Sequence, residues 1–433
     1  MRRSTASATT VVALLTLVLA TETPRAADWP QWRGPARDGK SPETGLLRTW
    51  PEGGPPLAWK MSGLGTGFSS VAVVGERIYT MGDFEDGQYA EALAKDGSAV
   101  VWKTRIGSAW RDEYLGPRGT PSVADGRVYV LGTDGSLACL DAKTGSSVWQ
   151  KHLPEAFRGF VMKAGGETDW KFSESPLVDG NRVIVTPGAK DAALVALDAA
   201  TGKEIWRTTL PDLGAKGVDG AGYSSPVVSN AGGRRQYVQL LGRGVVGVDA
   251  ATGRFLWGYN RIANAVANIS TPLIDGDRVF ASTAYGGGSA LVEIRAGDEK
   301  LTAREVFFLG PDVLQNHHGG MILHEGHVYT GDGQNKGLPV AVELATGKLA
   351  WGPIRNAGKA SAAISYADSR LYLRYQNGLV LLVEATPEAY REHGSFEIPG
   401  VTKPSWAHPV ISGGKLYLRE QDVLYCYDVA GKT

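Results

Sequence analysis

One motif recurs along the chain and limits its folds more than any bulk property does. An apolar strand runs into a Thr-Gly or Asp-Gly corner, and a second strand carrying a tryptophan follows. The motif is LACLDAKTGSSVW at 137–149, LVALDAATGKEIW at 194–206, VVGVDAATGRFLW at 245–257 and PVAVELATGKLAW at 339–351, with a looser copy, AEALAKDGSAVVW, at 90–102. The glycine supplies the positive φ that a tight hairpin corner needs. A second signal opens each unit: a small residue and a proline, an apolar strand, a turn, then an apolar and aromatic strand. It starts at Thr120, Ser175, Ser225, Thr271 and His408, and in weaker form at Ser69, Gly319 and Ala362, which makes eight copies. The copies are spaced between about 43 and 55 residues, a period that holds four short strands, the content of one propeller blade.

The expected fold is therefore all-β, an eight-bladed β-propeller of four-stranded blades. PPLAWKM at 55–61 looks like an outer strand without its blade, and the C-terminal VLYCYDV lacks a following tryptophan strand. The two complete each other, so the last blade is expected to be closed by an N-terminal strand. Closure of this kind removes exposed sheet edges. The recurring tryptophan is expected to wedge between blades with its N–H on a backbone acceptor. The Asp of the DAxTG corner is expected to bond the backbone of its own turn.

Composition narrows the function. Lys plus Arg and Asp plus Glu are both 45, so no charge excess favours nucleic acid or an anionic membrane. Arg2 and Arg3 precede an apolar run at 11–20, too short to span a bilayer, which predicts a signal peptide over 1–27 cut after Ala20 or Ala27. The expected layout is that signal, an N-terminal arm over 28–54 packed on the surface, and the propeller over 55–433. The mature protein is expected to be periplasmic or secreted, monomeric and without a membrane span. Cys139 and Cys426 occupy the same place in two repeats, which predicts two buried free thiols in separate blades.

The DAxTGxxxW units, together with DWPQWRGPARDG at 28–39, QNHHGG at 315–320 and the C-terminal PSWAHPVISGGKLYLREQDVLYCYDV, resemble the pyrroloquinoline-quinone-type (PQQ-like) propeller repeat of the quinoprotein alcohol dehydrogenase-like superfamily. They are most similar to exported bacterial propellers of that type with no assigned activity. The resemblance implies the eight-blade ring. For the quinoprotein enzymes it also implies PQQ and Ca²⁺, but the chain has no adjacent cysteine pair, and no Glu/Asn/Asp calcium set or catalytic Asp can be matched in it. No cofactor is firmly implied; PQQ and Ca²⁺ belong to the alternative reading.

In a propeller the connections between blades converge on the mouth of the central channel, and three are long here: 105–119, 153–174 and 210–223. The residues just before each inner strand are expected to ring the mouth: Arg118, Glu174, Tyr223, Asn268, His317, His318, Trp406 and His408, with Lys171 and Trp170 close by. A cation, a carboxylate, imidazoles and aromatics in one funnel suit a small ligand. A water-filled channel whose side chains pair with one another is the competing arrangement. Adjacent residues on an extended backbone point to opposite sides, so only one of His317 and His318 is expected to face inward. His324 and His327 are expected at the surface, and no metal site is expected. Two functions remain. One is a binding or scaffold module that recognises a protein, glycan or small molecule at the mouth or rim. The other is a PQQ-dependent dehydrogenase of alcohols or sugars. In that case Arg118 or Lys171 would hold the quinone carboxylates, Trp406 or Trp170 would stack, and Glu174 would be a calcium ligand or base.

Overall fold

The computed structural model describes residues 28–166, 169–297 and 300–431. The expected signal segment, 1–27, lies outside the described residues. The described strands form eight four-stranded antiparallel sheets, seven of them ordered along the chain from one edge to the other. Blades one to seven span 72–107, 122–152, 177–207, 227–259, 273–309, 321–351 and 362–397. The eighth is built from Val410–Ser412, Lys415–Glu420 and Val423–Asp428, with Leu57–Met61 as its outer strand. The closing strand pairs antiparallel, with Trp59 opposite Cys426 and Met61 opposite Leu424. The ring is therefore closed as the two orphan segments implied.

The repeated tryptophan and glycine hold neighbouring blades together. The indole N–H of Trp102 donates to the Ala142 carbonyl of the next blade, Trp149 to Ala199, Trp206 to Ala250 and Trp351 to Thr386, at 2.7–3.3 Å. The indole face lies on the corner glycine of that blade: a Cβ on Gly145 would sit 2.6 Å from Trp102, and one on Gly202 2.7 Å from Trp149. The glycine thus supplies a positive φ and a bare face at once. Trp257 departs from the pattern and donates to Gln236 of its own blade. The corner aspartates behave as expected. Asp141, Asp198 and Asp249 accept from the backbone N–H and hydroxyl of the corner threonine, and those bonds hold Asp141 and Asp198 below the usual carboxylate range.

Both cysteines are free and buried, and burial pushes the Cys139 thiol up to about 11 and Cys426 to about 12. They are inert core residues.

Only the second half of the N-terminal arm packs on the surface, 42–54 being mostly exposed, with Trp50 bonded to His393 on the outer strand of the seventh blade. The first half, 29–41, runs through the interior at one end of the channel. Trp29 pairs through its backbone with Val73 of the first blade, and the Pro30 carbonyl accepts from Val123 of the second. Arg37 donates to the Ser175 and Pro176 carbonyls at the third blade, and Trp32 to the Thr271 hydroxyl at the fifth. Arg33 donates to the Met321 carbonyl of the sixth, and Ser41 bonds Tyr366 of the seventh. Trp29, Arg33 and Arg37 are buried. The physical reason is geometric. An eight-bladed ring leaves an axial hole, and the Trp- and Arg-rich arm fills its lower half.

Candidate functional site

Above the arm the channel remains open as a cavity of about 200 Å³. The connections between blades supply its walls. Phe68 comes from the turn entering the first blade, Tyr114 and Arg118 from 105–119, and Trp170 and Tyr223 from the next two long connections. Tyr285 sits in a turn of the fifth blade, His317 and His318 precede the sixth, and Trp406 and His408 precede the eighth. The floor is Trp32 and Arg33 of the arm. Trp32 meets His408 edge-on at 4.5 Å.

The walls are mostly rings locked on rings. Trp406 stacks on Phe68 at 4.3 Å and 28°, with Tyr114 at 4.7 Å and His318 at 5.1 Å. Trp170 meets Tyr223 edge-on at 5.8 Å. The Tyr223 hydroxyl donates to the Met162 carbonyl, which fixes the ring. His317 and His318 both line the cavity, with ring centroids 4.5 Å apart. The chain bends at His318 instead of running extended, so the alternation expected of a strand does not apply. His317 bonds Tyr285 and Ser361 at 2.8 Å each, and His318 bonds Gln376 at 2.9 Å.

Burial sets the charges. It holds His317 down at about 4, His408 at about 3 and His318 well below the ordinary imidazole value, so all three are neutral at pH 7. Arg33 and Arg118 are lowered by burial only to about 10 and remain cations. Among the described residues no Asp or Glu lines the cavity.

Three of the expected mouth residues are turned elsewhere. Glu174 is buried beside the third and fourth blades, where it accepts from the Thr186 N–H at 2.7 Å and the Gln239 amide at 3.2 Å; burial pushes it up to about 7. Asn268 donates to the Leu241 and Gly242 carbonyls and is fully buried. Lys171 pairs with Asp169 at 2.9 Å, over the Trp110 ring and off the cavity wall. In each case a local partner offers a better hydrogen bond than the open channel. Arg118, Tyr223, His317, His318, Trp406 and His408 do line the cavity. Trp32, Arg33, Phe68, Tyr114 and Tyr285 were not anticipated. The arm pair stands outside the repeat, and its only signal is the density of Trp and Arg in DWPQWRGP. His324 and His327 lie at the first turn of the sixth blade, away from the cavity, and His324 packs on Tyr366.

The PQQ-like family model described as "Outer membrane protein assembly factor BamB" matches residues 54–158 and 86–352. The chain belongs to this PQQ-like propeller family. Within it, the chain is 23% identical over 252 residues to outer membrane protein assembly factor BamB of Nitrosomonas eutropha, covering 50% of this chain and 58% of that protein. It is 27% identical over 263 residues to quinohemoprotein alcohol dehydrogenase ADH IIB of Pseudomonas putida, covering 57% of this chain and 35% of that one. The solved quinohemoprotein alcohol dehydrogenase of Comamonas testosteroni superposes with a TM-score of 0.62 at 14% identity, over 94% of this chain and 81% of that one. At that identity the likeness speaks for the fold.

The residues present do not fit a calcium-bound quinone. A calcium ion wants six to eight oxygen ligands, carboxylates among them. Among the described residues no carboxylate reaches the cavity, no cluster of His, Cys, Asp or Glu could hold a metal ion, and Glu174 is already hydrogen-bonded elsewhere.

Proposed function

We propose that this PQQ-like propeller is a non-catalytic binding module whose recognition site is the aromatic funnel at the channel mouth. One observation carries the reading. The funnel is blind and mostly ring-lined, and although Arg118, Tyr223, His317 and His318 are paired, the buried Trp170 Nε1, Trp406 Nε1 and Arg33 Nη1 on its wall have no hydrogen-bond partner. Buried donors of this kind are costly unless a ligand or ordered water meets them. The layout of a signal over 1–27, an arm over 28–54 and a propeller over 55–433, with action outside the cytoplasm, belongs to the same proposal. Relatives named as outer membrane protein assembly factors support a protein partner as a second occupant, with Tyr114 and Phe160 exposed on the rim connections.

Hydrogen–deuterium exchange of the purified chain against planar aromatic ligands, glycans and candidate protein partners tests this. Protection at 110–118 and 405–408 is expected, and should be lost in Trp406→Leu. Protection confined to the outer strands would overturn it. So would dye reduction with alcohols that depends on added PQQ and Ca²⁺.

A further inference from the structure

We propose that a second cavity, off the axis between the third and fourth blades, binds a free amino acid with an aliphatic side chain, its carboxylate facing Lys190 and its ammonium facing Asp212. This site stands apart from the funnel and does not rest on the binding-module reading.

The cavity exists because the connection leaving the third blade does not lie flat on the seam. Residues 210–220 arch over it. One foot of the arch is the Leu210 N–H, which donates to the Lys190 carbonyl at 3.0 Å, and the other is the Val218 N–H, which donates to the Gly242 carbonyl at 3.2 Å. Between the feet the arch is propped outward. Asn260, just past the outer strand of the fourth blade, donates to the Lys216 carbonyl at 2.9 Å and accepts from the Lys216 N–H at 3.1 Å. Arg243 donates to the Gly214 carbonyl at 3.2 Å. The arch and the two hairpin tips beside it, 188–190 and 241–243, surround a space of about 420 Å³. An arch held this way is ordered before a ligand arrives, so binding carries little ordering cost.

Two positive and two negative side chains line the space, and they are not equivalent. Arg243 and Asp219 neutralise each other at 2.7 Å. Lys190 and Asp212 are left over: both are exposed, and among the described residues neither forms an ion pair. Asp191, next to Lys190 in the chain, is taken by Arg158. Asp212 accepts the Gly214 N–H at 2.9 Å, which orients its carboxylate. One uncommitted cation and one uncommitted anion on one wall call for a ligand that carries both charges. A simple anion would meet Asp212 and a simple cation would meet Lys190, and like charges brought together oppose binding.

The rest of the wall selects the side chain. Leu210, Leu213 and Leu241 line the space, and among the described residues no aromatic ring does. A branched aliphatic chain leaves water there against apolar surface.

The test titrates the full chain at neutral pH with L-leucine and with two probes of similar shape and one charge each: 4-methylpentanoate, which lacks the ammonium, and 3-methylbutylamine, which lacks the carboxylate. Calorimetry reads the affinity and hydrogen–deuterium exchange reads the place. Leucine is expected to bind about fivefold or more tightly than either probe, between the value of an exposed ion pair and that of a charge-assisted hydrogen bond. Protection is expected at 188–190 and 210–220. Lys190→Met should weaken leucine and strengthen the amine, whereas Asp212→Asn, whose amide oxygen still caps Gly214, should weaken leucine and strengthen the acid. Lys143→Met, at an exposed corner of the second blade, should change none of the three. Leucine bound no more tightly than the two probes, or not at all, would overturn the proposal. So would variants that fail to act in opposite senses on the acid and the amine, and so would protection at 405–408 in place of the arch. If either variant fails to fold, the wild-type comparison and the site of protection decide.

Discussion

Arg374 and Glu420 meet at 2.6 Å across the seam between the seventh and eighth blades, both buried, with the arginine fully excluded from solvent. The pair holds the segment that carries two of the funnel rings. Arg374 also donates to the Ala407 carbonyl at 2.7 Å, and the Ser405 hydroxyl donates to Glu420. Trp406 and His408 flank those contacts.

Removing one partner should therefore do two things. Arg374→Met leaves Glu420 as an uncompensated buried charge and should cost about 3–5 kcal/mol in urea unfolding. The double variant Arg374→Met, Glu420→Leu should recover much of that loss, because an apolar pair replaces an ionic one. It should still release the Trp406 segment, since Ala407 has lost its donor. A red shift of tryptophan emission in the double variant checks this; emission identical to wild type would show that the pair does not position the segment.

The glycines at the corners separate two costs. Gly126 has φ +71 with nothing within 4 Å of a new Cβ, whereas Gly202 has φ +69 with Trp149 at 2.7 Å. Gly126→Ala should cost about 1–2 kcal/mol, the price of the backbone conformation alone. Gly202→Ala must also displace the Trp149 ring from the seam between the second and third blades. It should cost several kcal/mol, closer to the roughly 3–5 kcal/mol of deleting a buried Trp. Equal losses in thermal unfolding would remove the proposed role of the indole–glycine contact.

These contacts explain how much of the molecule was legible in the sequence. The blade repeats because a corner glycine must receive a flat ring at most of the seams, a tryptophan in the majority and Phe307 on Gly347 between the fifth and sixth blades, so the chain records its ring number. Closure was legible for the same reason: an outer strand without a blade and a blade without an outer strand stand at opposite ends. The funnel was legible only in part. Position before an inner strand places a residue near the axis but does not decide whether its side chain faces the channel. Glu174 and Asn268 found partners between blades, and His318 turned inward at a bend. The floor was hidden because Trp32 and Arg33 belong to no repeat, and their place follows from a hole that exists only once the ring has closed.

Glu91 gives a dependence on pH. It is buried, its Oε2 has no partner, and burial pushes it up from 4.5 to about 7 despite the Arg419 charge. The folded state thus binds the proton more tightly than the unfolded state. Its contribution to stability is full below about pH 4.5 and is lost as pH rises to about 7, a change on the order of 3 kcal/mol. The buried histidines act in the opposite sense below pH 6.5, because folding holds them neutral. The difference between Glu91→Gln and wild type isolates the carboxyl. The variant should gain on wild type as pH rises from 5 to 8 in thermal unfolding. A constant difference would mean that Glu91 titrates normally.

The arm and the closing strand should separate on truncation. A chain beginning at residue 45 keeps Leu57–Met61 and its pairing with Val423–Asp428, so the ring should still close. It loses the buried Trp29 and the funnel floor of Trp32 and Arg33, which should cost at least about 3 kcal/mol and open the channel from end to end. Its tryptophans near the axis should become accessible to iodide quenching. A chain beginning at residue 62 also lacks the outer strand of the eighth blade, and Val423–Asp428 then presents a bare edge. Unpaired edges seek other chains. Light scattering should find the first chain monomeric and the second self-associated. If both stay monomeric with the same unfolding midpoint, the strand around Trp59 does not seal the ring.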